Sequence, residues 1–265
     1  MKILAGPVST LLVAAALALP APASAAGQEA TARVNPAIEA DARAAMDHMA
    51  QYLGGLSAFS LVATASRDQI VDEGFKLQNN ETISMVVRRP DGLRVDVAGD
   101  LGARTFVYDG KQLSMLSAQD QAYVQVKAPA TLQQLLGNVL AAGIELPLID
   151  VLHQAFSGTL LDRVRGGVLV GDATVDGVAC QQLAFRQGDV DWQIWIEKGS
   201  RPLPRKILLT TRHEYGQPQF EAVLDWNTSP KLDAASFRFV PPAGAVALPF
   251  DAPIPLDYDA AGDAR

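Results

Sequence analysis

The stretch TISMVVRRPDGLRVDV, residues 82–97, decides the fold class because it reads as two alternating apolar runs around a turn. Every second residue is apolar on both sides of a Pro-Asp-Gly segment, and this pattern predicts an antiparallel β-hairpin. Arg89 has the same parity as the three apolar residues before it. Those three residues are Ile83, Met85 and Val87. If they face the interior of the protein, the guanidinium of Arg89 faces the interior as well.

The N-terminus has the pattern of a signal peptide that is removed on export. Lys2 supplies a positive charge, LLVAAALALP at 11–20 supplies a short apolar core, and Ala-Ser-Ala at 23–25 fits a cleavage site. A membrane anchor is the alternative, but the apolar run is too short to span a bilayer and ends at Pro20. We therefore expect residues 1–25 to be cleaved. The mature chain has no cysteine near its start for lipidation, so we expect a soluble protein of the periplasm.

The composition of the mature chain excludes several kinds of partner. Loss of Lys2 leaves 21 of the 22 basic residues against 29 acidic residues, a net charge of −8. An acidic chain without a Lys/Arg block is unsuited to nucleic acid and to anionic membrane surfaces. Cys180 is the only cysteine, so an intramolecular disulfide cannot form, and its strand-like surroundings predict a buried small side chain.

The N-terminal half of the mature chain reads as one helix followed by strands. Asn35-Pro36 predicts the start of the helix and Gly54-Gly55 its end, with an apolar stripe between them. In addition to the opening hairpin, strands are predicted at 58–66, at 103–116 as a hairpin closed at Asp109-Gly110, and at 122–127. The polar residues 67–80 are predicted to form a turn.

Two apolar helices are predicted to interrupt the strands in the middle of the chain. Residues 131–143 and 146–156 both have an apolar stripe at helical spacing. Alternating strands then resume at 167–177, 178–187, 190–198, 205–211, 219–226 and 237–240. A sheet of about eleven antiparallel strands has to curl because of its twist. We therefore expect a mainly β, α+β fold: a strongly curled antiparallel half-barrel with an N-terminal helix and a helical lid or plug.

The predicted domain organisation is simple. The sequence has no internal repeat and no linker, so residues 26–242 are predicted to form a single half-barrel domain. Residues 243–265 are rich in Pro, Ala and Asp, and are predicted to be a loose C-terminal tail.

No group of residues has the spacing of a catalytic, metal or cofactor site. The histidines are His48, His153 and His213, and none has metal-ligand spacing to another. Asp189 and Asp191 are a carboxylate pair that could serve a hydrolase, but they flank a predicted turn, where aspartate is common. We therefore expect no catalytic residue, no metal and no cofactor. A secreted hydrolase is kept as the last alternative.

Three motifs in order give the chain a resemblance to a known family. They are SMVVRRP at 84–90, VYDGKQLSML at 107–116 and FRFVPPAGA at 237–245. In this order, with helices between two groups of strands, they resemble the LolA/LolB-like superfamily of periplasmic lipoprotein carriers. The stretch LPRKI at 203–207 and the chain length are most similar to the uncharacterised secreted relatives of these carriers.

The resemblance implies a half-barrel whose helical lid shelters acyl chains. It also implies that the arginine before the proline, here Arg89, reaches inward and latches the lid; a rim arginine paired with a carboxylate is the alternative. The residues expected to line the hydrophobic cavity are Ile83, Met85, Val87, Arg89, Leu135, Leu136, Val139, Leu148 and Leu152. The apolar members of this set could instead complete a solid core, and the sequence leaves both readings open.

The function that the resemblance favours is non-catalytic binding or transport of a lipid, an acylated molecule or another hydrophobic ligand. A protein-interaction or envelope-sensing module on the same fold is the alternative, with the concave face of the sheet as its binding surface. The expected partner is therefore a lipid or a protein, and not a nucleic acid.

Overall fold

The computed structural model describes residues 38–143 and 148–249. The signal peptide predicted at 1–25, the helix start predicted at Asn35-Pro36 and most of the predicted tail lie outside the described residues. The chain divides into two compact units after Val34, and every described residue belongs to the second unit.

The described residues form one twelve-stranded sheet built from two meanders. The strands are β1 Ala58–Ile70, β2 Lys76–Arg88, β3 Gly92–Gly99, β4 Gly102–Tyr108, β5 Gln112–Ser117, β6 Ala122–Lys127, β7 Gly166–Val175, β8 Val178–Gln187, β9 Val190–Glu197, β10 Pro204–Thr211, β11 Gln219–Asn227 and β12 Val246–Ala247. Their order is β12-β6-β5-β4-β3-β2-β1-β11-β10-β9-β8-β7, and β12 pairs with β6 in parallel while the other pairs are antiparallel. Because β12 and β7 lie at opposite ends, the sheet stays open. The predicted half-barrel is confirmed.

Three α-helices of the described chain pack on one face of the sheet and share a continuous hydrophobic core with it. They are α1 Ala40–Gly55, α2 Leu132–Ala141 and α3 Ile149–Ser157. The buried side chains of α1 recur at spacings of three and four, which places them on a single helix face. Thr131 caps α2 by accepting a hydrogen bond from the backbone N–H of Gln134. Gly158 ends α3 in a left-handed conformation, which favours glycine.

β1 and β2 form a hairpin that is much longer than predicted, since they pair along their full length. The turn predicted at 67–80 is therefore wrong, and the reversal is confined to a short 3-10 turn at Asp72–Gly74. From Ser66 onward β1 contains no buried residue. Because both faces of this end of the hairpin are accessible to water, the apolar alternation that reveals a half-buried strand is absent from its sequence.

The strand predicted at 237–240 is also wrong. Ala234–Phe237 form a 3-10 turn, and the Asp233 carboxylate accepts a hydrogen bond of 3.0 Å from the backbone N–H of Ala235. Phe237 is buried against Gly92, where an added Cβ would come within 3.0 Å of the phenyl ring. The phenylalanine therefore anchors a turn to the start of β3, and the strand that follows in sequence is the short β12.

Segments from elsewhere in the chain cover both ends of the open sheet. At β7, the backbone N–H of Glu39 donates to the carbonyl of Gly167 at 2.9 Å, and the Glu39 carboxylate accepts from the N–H of Leu169 at 3.0 Å. At β6, the N–H groups of Val246 and Leu248 donate at 2.8 Å to carbonyls at the start of that strand. The first contact also fixes the position of the N-terminal end of α1.

Tyr108 connects β4 to the segment that leads into α2. Its side chain is fully buried, and its hydroxyl donates a hydrogen bond to the carbonyl of Pro129. Burial raises the pKa of Tyr108 to about 12, and the negative charges of Asp91 and Asp109 add to the shift.

Tyr108→Phe is expected to lower the free energy of unfolding by about 1 kcal/mol at neutral pH, because the Pro129 carbonyl loses its donor. Between about pH 10, where an unfolded tyrosine titrates, and about pH 12, only the unfolded wild-type chain releases the phenol proton. The wild type therefore loses stability as the pH rises through this window. Denaturant unfolding of both proteins should show a stability difference that shrinks above about pH 10, and a constant difference would contradict the assignment.

Candidate functional site

A cavity of about 520 Å³ lies between the C-terminal meander of the sheet and the helices α2 and α3. Small-molecule sites in proteins have volumes of about 300–1,000 Å³, so the cavity has the size of a binding site. The sheet contributes one wall through β9, β10 and β11, and the helices contribute the other through the end of α2 and the start of α3.

The sheet wall is apolar because of the register of three neighbouring strands. Leu209 of β10 pairs with Trp192 of β9 and with Phe220 of β11, so three large side chains lie beside one another. Ile207 and Ile194 form the next inward pair, two residues further along. Residues that pair directly across adjacent strands face the same side of a sheet, and all five line the cavity.

The helix wall contains both apolar and polar side chains. Leu148, Ile149 and Val151 line the cavity from the N-terminal end of α3, together with the polar side chains of Asp150 and Gln154. This wall completes an apolar space with polar groups at one end.

Two arginines of the sheet stand among the residues that line the cavity. Arg67 comes from β1, and its guanidinium lies 5.7 Å from the centre of the Phe220 ring. Arg104 comes from β4, and its Nη2 lies 3.5 Å from a carboxylate oxygen of Glu81. With Asp150 on the helix side, the described lining residues carry two positive charges and one negative charge.

Two titratable side chains of α3, Asp150 and His153, affect the charge near the cavity. Partial removal from water raises the pKa of the Asp150 carboxyl, although a backbone N–H and the neighbouring His153 oppose the rise. Burial lowers the pKa of His153, against the attraction of Asp150. The carboxyl at the mouth therefore loses its charge at a higher pH than an ordinary aspartate does, and the imidazole stays neutral to a lower pH than an ordinary histidine does.

Of the residues predicted to line the cavity, Leu148 does line it. Seven others face the interior, as their spacing predicted, but they lie in the packed core between the helices and the sheet. They are Ile83, Met85, Val87, Leu135, Leu136, Val139 and Leu152. The contact of these residues with a ligand stays a prediction, and the open space in the structure is elsewhere.

Arg89 joins the opening hairpin to two helices. Its guanidinium donates a hydrogen bond of 2.5 Å to the carbonyl of Gly54 at the end of α1 and lies 4.8 Å from the centre of the Phe156 ring of α3. Next to it, the Pro90 carbonyl accepts a hydrogen bond from the N–H of Leu132 at the start of α2. Arg89 does reach inward to the helices, but neither Arg89 nor its ring partner Phe156 lines the cavity.

Arg88 is less exposed than its outward parity predicts. Its guanidinium donates two hydrogen bonds to the Asp91 carboxylate, at 3.2 and 3.0 Å, and lies 4.5 Å from the centre of the Phe237 ring. The 3-10 turn that carries Phe237 therefore covers part of the Arg88 side chain on the outer face of the sheet.

Sequence reasoning misses both arginines of the cavity, although a signal for them exists. Arg67 has the parity of the buried residues of β1, and Arg104 has the parity of Phe106 and Tyr108 in β4. The argument that places Arg89 inside therefore applies to both. The parity argument is not applied to Arg67, because a turn rather than a strand is predicted at that position. Parity also shows only that a side chain faces inward, not whether it meets packed atoms or open space.

The described residues contain no group of three or more His, Cys, Asp and Glu side chains that could hold a metal ion. In the aspartate pair, Asp191 accepts hydrogen bonds from Arg186, which lower the pKa of its carboxyl. Asp189 lies 2.9 Å from His213. Both carboxylates therefore have partners at the β8–β9 turn, and a carboxyl with a lowered pKa is poorly suited to act as a general acid near neutral pH.

The family of the chain follows from its sequence match. Residues 42–251, most of the chain, match the family described as predicted periplasmic protein, DUF2092, and the chain belongs to this family. The predicted similarity to an uncharacterised family of periplasmic proteins is thus confirmed. No curated protein matches the sequence. Within residues 38–143 and 148–249, every helix is too short or too polar to cross a membrane.

Several solved structures are similar to this chain. The lipoprotein LppX of Mycobacterium tuberculosis is 12% identical with a TM-score of 0.45, over 72% of this chain and 97% of LppX. A LolA superfamily protein of Nitrosomonas europaea is 8% identical with a TM-score of 0.33, over 74% and 97% of the two chains. The MucA/MucB complex of Pseudomonas aeruginosa matches at 18% identity and a TM-score of 0.40, over 76% of this chain and 64% of that chain.

Proposed function

We propose that the protein is a non-catalytic binding or carrier protein that holds one acyl chain or a comparable hydrophobic ligand. The observation that supports this is the apolar cavity of about 520 Å³ between α3 and strands β9–β11. If each methylene-sized group takes about 30 Å³, the volume of a water molecule in the liquid, the cavity holds on the order of 17 groups. That is about the size of one long acyl chain.

The size of the cavity also argues against a gap left by imperfect packing. Protein interiors are close-packed, and few voids in them exceed the size of a water molecule. Burial of apolar surface stabilises a complex by roughly 25 cal/mol per Å². Covering the wall formed by Trp192, Leu209 and Phe220 with an acyl chain therefore favours binding. A ligand would therefore bind by displacing water from this wall.

A periplasmic location is consistent with the function of a carrier for hydrophobic molecules. The family is described as periplasmic, and an apolar molecule in that aqueous space needs shelter between membranes. We infer that the mature protein, freed of residues 1–25 and not lipidated, binds its ligand in the periplasm without chemical conversion.

Native mass spectrometry of the protein purified from its own compartment tests the proposal. We expect the wild type to retain a ligand mass and Leu209→Trp to lose it, because the larger side chain fills the space between Trp192 and Phe220. Leu208→Trp is the matched control, since Leu208 has the opposite parity in β10 and does not line the cavity. If Leu209→Trp is folded and retains the same mass as the wild type, the cavity is not the binding site.

A second candidate function is a protein-interaction module. Phe75 and Leu77 are exposed at the tip of the β1–β2 hairpin, and the ring of Tyr215 packs against Gly74 beside them. An exposed apolar cluster of this kind can be the core of a protein interface. For this function, Phe75→Asp should release a co-purifying protein while the retained ligand mass is unchanged, and a partner that stays bound would exclude this surface.

A further inference from the structure

The mouth of the cavity differs in chemistry from its walls. Arg67 and Arg104 stand on the sheet side and Asp150 stands on the helix side, while the wall between β9 and β11 is apolar. A site with charged groups at one end and an apolar interior is suited to an amphiphile rather than to a plain hydrocarbon, since each part of the ligand then meets a matching surface.

Arg104 has hydrogen-bonding capacity that its neighbours do not use. Its ion pair with Glu81 is long, at 3.5 Å, and its Nε has no hydrogen-bond partner among the described residues. The Arg104 side chain is 36% exposed, whereas that of Glu81 is 14% exposed and lies behind it. The unpartnered Nε is itself buried, so a ligand would be bound by the N–H groups of the terminal nitrogens, which can donate to a carboxylate or a phosphate.

Arg67 adds a second positive charge to the lining of the cavity. Its guanidinium lies over the ring of Phe220, and both residues line the cavity. The cation–π contact holds the charge beside the apolar wall. Asp150 also lines the cavity, and Glu81 pairs with Arg104 from outside the lining, so the lining residues themselves include two arginines and one carboxylate.

We propose that the ligand is a single-chain amphiphile with an anionic head group. Arg104 and Arg67 bind the head group at the mouth, and the chain lies against Trp192, Ile194 and Ile207. Carboxylates and phosphate monoesters share the required chemistry. This inference rests on the proposed function and specifies its ligand class.

Titration calorimetry with four amphiphiles of equal chain length tests the inference on the mature protein. The probes are hexadecanoate, hexadecyl phosphate, hexadecanol and hexadecyltrimethylammonium, each below its aggregation concentration. We expect at least one anionic probe to bind about tenfold or more tightly than the alcohol, and the cationic probe to bind most weakly. The ratio between the two anionic probes tells whether a carboxylate or a phosphate is the better head group.

Charge variants at the mouth should change these affinities in opposite directions. Arg104→Gln should weaken binding of the anionic probes by about tenfold and leave the alcohol unchanged. Asp150→Asn should tighten binding of the same probes, because it removes the opposing carboxylate. Arg94→Gln is the control, since Arg94 pairs with Asp96 on the other face of the sheet.

The outcomes separate this inference from the proposed function. Equal affinity for all four probes would overturn the anionic head group while leaving a hydrophobic carrier intact. Absence of binding by all four would overturn both. If Arg104→Gln fails to fold, Asp150→Asn and the probe series on the wild type still decide the question, and an Asp150→Asn variant that binds the anionic probes no more tightly would count against it.

Discussion

Val87→Asp is expected to leave most of the protein unfolded, with a loss on the order of 5 kcal/mol in the free energy of unfolding. Val87 is fully buried and pairs with Phe59 on one side and Leu93 on the other. The carboxylate introduced at position 87 would have no access to water. The nearby guanidinium of Arg89 already binds Gly54 and contacts Phe156, so it can pair with the new charge only by giving up those contacts.

Val86→Asp is the matched control for this prediction. Val86 lies on the opposite face of β2 and pairs with Arg94, so the same substitution should change the stability by less than about 1 kcal/mol. Circular dichroism and denaturant unfolding of the two variants give the comparison. A Val87→Asp protein as stable as the Val86→Asp protein would show that the inward parity of residues 83–89 is wrong.

Arg89→Leu is expected to lower the free energy of unfolding by about 2–5 kcal/mol. The variant loses a charge-assisted hydrogen bond to the Gly54 carbonyl, of about 1.5–3 kcal/mol, and a cation–π contact with Phe156, of about 0.5–2 kcal/mol. Because Arg89 does not line the cavity, the affinity for a ligand should change less than the stability does.

Two further variants separate the role of Arg89 from that of any arginine at this turn. Arg88→Leu breaks a partly exposed ion pair with Asp91 and a cation–π contact with Phe237, and should cost about 1–2 kcal/mol. Arg89→Lys keeps the charge but cannot hold the fork of N–H donors flat on the Phe156 ring, so it should recover only part of the loss. If thermal unfolding gives the same midpoint for Arg88→Leu and Arg89→Leu, the contacts of Arg89 with α1 and α3 contribute no more than the contacts of Arg88 do.

The sequence predicts those helices and strands in which one face is apolar and buried and the other is polar and exposed. The hairpin at 82–97 is predicted because each inward residue is apolar and the turn between the strands is marked by Pro90 and Gly92. The far end of the β1–β2 hairpin is not predicted, since its backbone pairs while both faces are wet. The strand at 237–240 is predicted wrongly because the alternating Phe-x-Phe pattern that begins at Phe237 also fits a turn in which only one ring is buried.

The candidate site is predicted less well than the fold for a physical reason. An apolar side chain that packs against another and one that borders open space have the same hydrophobicity and the same parity. Leu152 and Leu148 therefore look alike in the sequence, yet the first belongs to the packed core and the second lines the cavity. What distinguishes them is the separation of α3 from strands β9–β11, which depends on the packing of the whole domain.

The covered ends of the sheet have a consequence for self-association. An open sheet exposes two rows of unpaired backbone N–H and C=O groups, which can template the addition of strands from other molecules and lead to aggregation. Here Glu39 protects part of β7, and the segment Val246–Leu248 protects the start of β6. These short segments occupy backbone groups that could otherwise pair with a strand of another molecule, and we expect a chain that lacks either of them to aggregate more readily.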